Sequence, residues 1–234
     1  MSGRIVRRLV GFAGVIAVAP GVLGAQQLAD KIVVTPYMGV YVPTNDIAKI
    51  GVDGAASSLT ANIKHQTALV GGLNLSYWLT DRIGIEGGAA YTKSGIKGNM
   101  LVEQASGAVA QTGSQYAHVW LGSAKLMLQL LPQASDFNLR LGFGPAIISR
   151  AGSAYGSDAE LKVTGKTDIG AALSLCSRVP VSSNVSVRLR AEDYMYSGKI
   201  GFKSAVTSAD NFTFDSRFQH DLVFSAGLQL FLNR

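Results

Sequence analysis

A chain of 234 residues that is 47% apolar, 15% charged and 8% aromatic carries enough hydrophobic side chain to bury a core and too much to stay disordered. The charged fraction lies well below the roughly 25% usual in soluble domains, and a single cysteine, Cys176, excludes a disulfide scaffold. A net charge of +6 with no Lys/Arg run interleaved with aromatics gives no footprint for nucleic acid.

Arg4, Arg7 and Arg8 open the chain, an apolar stretch runs from Leu9 to Val18, and Pro20, Gly21, Gly24 and Ala25 follow. That order of basic, apolar and small residues predicts a cleaved secretory signal peptide over residues 1–25, leaving 26–234 as one mature domain. The apolar stretch is too short for a spanning helix, which needs about 20 residues. Cleavage at Ala25 removes three arginines and no acid, so the net charge falls from +6 to +3 over 209 residues.

Beyond the leader, apolar and polar residues alternate with a period of two, the mark of strands with two different faces. Eight strands are predicted, at 31–43, 66–79, 83–93, 115–131, 137–150, 164–179, 185–197 and 218–232. The first is apolar on both faces, with Tyr37 and Tyr41 on one side. In the second, Leu69, Leu73, Leu75 and Tyr77 oppose Asn74 and Ser76; in the third, Ile83, Ile85, Ala89 and Tyr91 oppose Gly84, Glu86, Gly88 and Ala90. The fourth sets Trp120, Ala124, Leu126, Leu128 and Leu130 against Ser123, Lys125 and Gln129, with Leu121 and Met127 blurring its polar face. In the fifth, Leu139, Leu141, Phe143 and Ile147 oppose Asn138, Arg140, Gly142 and Gly144. The last three repeat the pattern, with Leu173, Leu189 and Phe224 on apolar faces and Ser174, Arg190 and Ser225 on polar ones.

Most of these strands exceed the usual 5–6 residues and reach the roughly 9–11 needed to cross a bilayer at a tilt. Short turns at Thr80–Arg82, Pro132–Asp136 and Pro180–Asn184 alternate with long segments at Thr44–His65, Ser94–Ser114, Ala151–Val163 and Gly198–Arg217. Short connections on one rim and long ones on the other are the plan of outer-membrane barrels. An aliphatic face repeated on at least six strands would be a large adhesive surface in water but is the required surface in lipid. A lipocalin-like barrel, apolar inside, would have to turn this Gly-, Ala- and Ser-rich polar phase to water. The fold class is therefore all-β: an eight-stranded antiparallel up-and-down transmembrane barrel in the outer membrane of a Gram-negative bacterium.

The polar phase places Glu86, Lys125, Arg140, Asp168, Arg178, Arg188, Arg190, Glu192 and Asp221 in the lumen. Eight strands leave room only for side chains, and a buried unpaired charge is very costly, so these groups are expected to pair with one another. A structural plug is preferred over a polar channel. Cys176 falls on the same face with no expected partner. Tyr41, Tyr91, Tyr116, Trp120, Tyr194, Tyr196 and Phe218 are expected in an aromatic girdle near the long segments, and Tyr77, Phe137 and Phe231 in a second near the short turns. The histidines, His65, His118 and His220, show no metal-ligating spacing, so no metal or other cofactor is expected. The long segments are expected to be surface loops whose ligand their composition does not name.

Over the mature chain these residues resemble the small eight-stranded bacterial outer-membrane barrels of the OmpA/OmpX type, from Lys31-Ile-Val-Val-Thr-Pro-Tyr-Met-Gly-Val-Tyr-Val-Pro to the end. The final strand, His220-Asp-Leu-Val-Phe-Ser-Ala-Gly-Leu-Gln-Leu-Phe-Leu, is similar to that family's terminal signal, with Ser225, Gly227, Leu230 and Leu232 at the matching places, followed here by Asn233 and Arg234. The resemblance implies outer-membrane lipid, lipopolysaccharide and the barrel-assembly machinery as partners; the residues offer no catalytic motif, so no enzyme is expected. Lipid A deacylase barrels of similar size use a His-x-Ser pair, whereas Thr67, Trp120 and Leu222 follow the histidines here by two.

Overall fold

The computed structural model describes residues 32–46, 48–53, 57–104, 107–131, 138–155, 162–164, 167–182, 185–198, 201–203, 213–214 and 218–232. The expected leader, Phe137 and the turn residues 132–136 lie outside the described residues. In chain order the strands are β1 (Ile32–Pro43), β2 (Ala48–Asp53), β3 (Ser57–His65), β4 (Ala68–Trp78), β5 (Ile83–Thr92), β6 (Ile96–Gln104), β7 (Gly107–Gln115) and β8 (His118–Gln129). They continue as β9 (Asn138–Ala151), β10 (Lys162–Thr164), β11 (Thr167–Pro180), β12 (Val185–Ser197), β13 (Gly201–Lys203), β14 (Thr213–Phe214) and β15 (Phe218–Phe231).

Eight of them close a barrel in the order β1-β15-β12-β11-β9-β8-β5-β4, every pairing antiparallel. These are the eight strands expected from the alternation. The seam joins first strand to last, from Val33 opposite Phe231 to Pro43 opposite Asp221. Closure leaves no edge, so backbone N–H and C=O groups of the wall are paired without water.

The side-chain period is two, so each strand sorts its residues between wall and lumen. Outside stand Leu69, Met38 and Ile169, 73%, 70% and 78% exposed, with Leu75, Phe143 and Leu228 continuing the belt. Inside, Leu121 and Met127 are lumen residues of β8, which is why that strand read as blurred. β1 turns Val33, Thr35, Tyr37 and Tyr41 inward and Met38 and Val40 outward.

The short turns are built by local hydrogen bonds. Between β4 and β5 the Thr80 hydroxyl accepts from the N–H groups of Arg82 (3.2 Å) and Ile83 (3.0 Å), while Leu79 N–H donates to the Ile83 carbonyl (2.9 Å). A threonine that mimics a backbone acceptor in this way fixes a tight reversal. Between β11 and β12, Val181 and Ser182 donate to the Val185 carbonyl at 3.0 and 2.9 Å.

The long segments correct the sequence-based expectation of loops. Two of them fold into β2–β3 and β6–β7, which with β14 make a five-stranded sheet in the order β14-β2-β3-β6-β7. Only residues 66–67, 93–95 and 116–117 separate these strands from β4, β5 and β8, so the sheet rises directly from that side of the wall. β10 and β13 form a separate pair. After β9, Gly152 at φ 117° carries the chain over Tyr116, where a Cβ would lie 2.7 Å from the Tyr116 carbonyl oxygen. Glycine tolerates that conformation and that approach.

Candidate functional site

The lumen is filled in three tiers. At its centre, β5, β8 and β12 converge on Glu86. Its carboxylate accepts from the Ser76 hydroxyl (2.8 Å) and from both Arg188 terminal nitrogens, and lies 3.2 Å from Lys125 Nζ and 3.6 Å from Arg190 Nη1. Lys125 also pairs with Glu192, and Arg190 Nη1 lies 3.2 Å from the second Glu192 oxygen. Strand register explains the assembly: Glu86 lies opposite Ser76 on β4 and Lys125 on β8, while Arg188, Arg190 and Glu192 are successive inward residues of one strand. All five charged side chains are buried. In such a low-dielectric setting each pair is electrostatically stronger than in water, and each missing partner is dearer.

Arg190 shows how tightly the tier is packed. Its guanidinium sits 4.3 Å from the Tyr37 ring centroid, so an aromatic face supports a cation whose Nη atoms make no aligned hydrogen bond. Cys176, expected to have no partner, accepts from Arg188 Nη2 at 2.9 Å, because its thiol reaches the same guanidinium that holds Glu86.

Toward the long segments, Arg150 pairs with Asp168 across β9 and β11 and lies over the Tyr196 ring at 4.8 Å. The Tyr196 hydroxyl donates to Asp221 at 2.7 Å. Tyr41, Tyr194 and Tyr196 are therefore lumen residues, against the girdle expected for them: Tyr194 and Tyr196 share the parity of Arg190 and Glu192 on β12, Tyr41 shares that of Val33 and Tyr37 on β1, and parity decides the face. Arg150, only 2% exposed, is the charged member that sequence reasoning missed. Its signal was present: it is the tenth residue after inward Arg140 and shares its parity.

Above this tier, His65 at the end of β3 is buried against Tyr41 and Ser94. Burial first, and then the positive charge of Arg150, push its imidazole down to about 3, so it is neutral at physiological pH.

Toward the short turns, Arg140 stacks over Trp78 at 4.4 Å and its Nε donates to Asn138 Oδ1 at 3.0 Å. Arg178, half-buried, stacks over Phe231 at 5.6 Å. Phe231 packs on the buried cluster of Val33, Trp78, Met127 and Cys176 instead of joining an outer girdle. Of the terminal-strand residues, Ser225 and Gly227 share the inward parity of buried Asp221, Val223 and Gln229, while Leu230 and Leu232 are exposed on the belt.

Outside the wall, Tyr91, Tyr116 and Trp120 form the aromatic group near the long segments. His118 stacks on Tyr91 and meets its hydroxyl at 2.6 Å. On the far wall His220 Nδ1 lies 2.8 Å from Asp193, an outward acid not singled out in the sequence.

No family model matches the chain, and no curated protein matches it. Solved structures do. The outer membrane protein OprG from Pseudomonas aeruginosa is 14% identical, with 86% of this chain and 96% of that one covered at a TM-score of 0.56. This chain is an eight-stranded barrel of the outer-membrane kind. Neisserial surface protein A (14% identity, 86% and 96% covered, TM-score 0.48) and the outer membrane protease OmpT from Escherichia coli (11%, 86% and 97%, 0.43) align less well.

Proposed function

We propose that the protein is a non-enzymatic bacterial outer-membrane barrel whose packed, charged lumen closes it to bulk ion flow, and that it serves envelope structure or surface interaction through the sheet and segments on its long-connection rim. The observation that carries this is the central tier: Glu86, Lys125, Arg188, Arg190 and Glu192 are all buried and bound to one another across the lumen. Side chains packed and paired in this way occupy the section through which ions would have to pass. The aliphatic belt supports the location, because only lipid makes such a surface favourable around a closed barrel. The matching terminal residues Ser225, Gly227, Leu230 and Leu232 are assigned to engagement of the barrel-assembly machinery, and outer-leaflet lipid and lipopolysaccharide are the partners expected around the belt.

Reconstitution into planar bilayers tests the closed lumen. The expected record is a flat baseline with rare, small openings. Large steady steps at modest voltage would replace the plug with a channel, and a changed lipid A mass spectrum on expression would replace it with a lipid-modifying enzyme.

A further inference from the structure

Three lysines gather on the outer face of the wall just beyond the aromatic group. Lys64 on β3 and Lys97 on β6 are direct cross-strand partners and both are exposed. Side chains of such partners share one face, with Cβ atoms about 4.5–5.5 Å apart. The face is the outward one, because His65 and Ile96, their neighbours in sequence, are buried. Lys93 continues the same alternation, exposed between buried Thr92 and Ser94. Like charges placed directly opposite each other destabilise a sheet by themselves, and among the described residues no acid forms an ion pair with any of the three. From β7, exposed Ser114 lies opposite Lys97 and adds a hydroxyl to the group.

Position along the wall indicates what neutralises them. Tyr91 and Trp120, opposite each other with ring centroids 4.7 Å apart, mark the interface depth. Lys93 is two residues beyond Tyr91 and Lys97 six, or about 7 and 20 Å along the chain and roughly 5 and 15 Å above the rings at a tilt near 40°. The first is headgroup depth; Lys97 and its partner Lys64 stand above it, and their long stems can reach down toward it. Beneath lies apolar wall, with Leu69 and Leu73 on β4 and Ile85 on β5 exposed. A ligand that fits both parts is anionic above and acyl below. The far wall differs, since there an outward acid, Asp193, lies 2.8 Å from His220 Nδ1.

We propose that Lys64, Lys93 and Lys97 form a binding site for the phosphate groups of an outer-leaflet glycolipid whose acyl chains lie against the wall below. The site rests on the outer-membrane reading given above, and names the residues through which the barrel would select its lipid.

The test uses the purified, folded full chain in detergent, with lipid binding followed by native mass spectrometry. Three probes are compared: bisphosphorylated lipid A, the same lipid stripped of phosphate, and inorganic phosphate. The expected result is at least ten-fold tighter binding of the phosphorylated lipid. At about 1 kcal/mol per lysine near an anionic surface, each of Lys64→Gln, Lys93→Gln and Lys97→Gln should weaken it about five-fold, and the triple variant should abolish the preference. Arg82→Gln, exposed in a short turn at the other end of the wall, should change nothing. Retained heat-modifiable gel mobility shows that each variant is folded. Equal binding of the two lipids, or a triple variant that still discriminates, overturns the site; inorganic phosphate binding as tightly as the lipid overturns the lipid as its ligand. Membrane fractionation separates the two levels. A chain in the outer membrane without phosphate preference sinks the site alone, whereas a chain absent from that membrane sinks the location on which it rests.

Discussion

Replacing Glu86 by Gln should do more damage than replacing any one of the cations around it. Three cations, Lys125, Arg188 and Arg190, meet two carboxylates, Glu86 and Glu192, so the tier carries one surplus positive charge. Glu86→Gln raises the surplus to two, while Arg190→Met brings it to zero and keeps much of the filling volume. At an effective dielectric of about 20, the 3.2 Å contact between Lys125 and Glu86 alone is a gross attraction of about 5 kcal/mol. Relief of the carboxylate's own desolvation offsets several kcal/mol of the loss, so Glu86→Gln should cost about 3–5 kcal/mol net. Arg190→Met should cost less than half as much. Urea unfolding in lipid vesicles, followed by gel mobility and tryptophan fluorescence, measures both. Arg190→Met costing as much as Glu86→Gln, or Glu86→Gln costing under about 1 kcal/mol, would refute the charge balance.

Four further outcomes are expected. Leu173→Arg, on the belt near mid-span of β11, should cost about 2–4 kcal/mol in vesicles, while its neighbour Ser174→Ala should cost almost nothing, because the buried Ser174 hydroxyl has no hydrogen-bond partner. Gly144→Ala would put a Cβ 2.0 Å from the Ala124 carbonyl oxygen and 2.9 Å from Lys125 Cα, so it should shift β8 against β9 and cost about 1–3 kcal/mol or more in the same assay. The His65 imidazole, held down to about 3, should show no NMR titration between pH 8 and 5; the unfolded chain takes up that proton near pH 6.5, so this group's share of stability is present above that pH and is lost as the pH falls, and a midpoint between 6 and 7 would contradict its burial beside Tyr41 and Arg150. In intact cells, a cysteine at exposed Ser114 should react with an impermeant thiol reagent and one at exposed Ser182 should not; the reverse pattern would invert the topology.

The eight barrel strands were legible because an apolar outer face and a packed, polar lumen impose a sharp contrast at every second residue. The same parity would also have placed Tyr194 and Tyr196 inside, since they follow Arg190 and Glu192 in steps of two. Their expected place in a girdle came from residue type and nearness to a strand end, and strand geometry overrides residue type. Arg150 was lost for a different reason, at the end of a strand where the polar face merges into the next segment. The rim sheet escaped because its contrast is thin. Leu59, Ala61 and Ile63 do alternate with Ser58, Thr60 and Asn62, but Gly107-Ala-Val-Ala-Gln-Thr-Gly-Ser offers almost no apolar face, and both sit in segments rich in small residues. Partner choice within the lumen could not be read at all. It depends on register across the long segments, which places Glu86 beside Lys125 and brings Arg188 within reach of both Glu86 and Cys176.

Contact between the aliphatic face of the barrel and lipid underlies the location and the lipid site alike. Nitroxide labels placed singly at Ile169 through Cys176 of the protein in lipid vesicles would measure it most directly, through collision with oxygen dissolved in the bilayer. Accessibility should peak at Ile169, Ala171, Leu173 and Leu175 and fall at Gly170, Ala172, Ser174 and Cys176, with the highest values near mid-span. A flat profile along the strand, or maxima at the even-numbered positions, would contradict the transmembrane barrel.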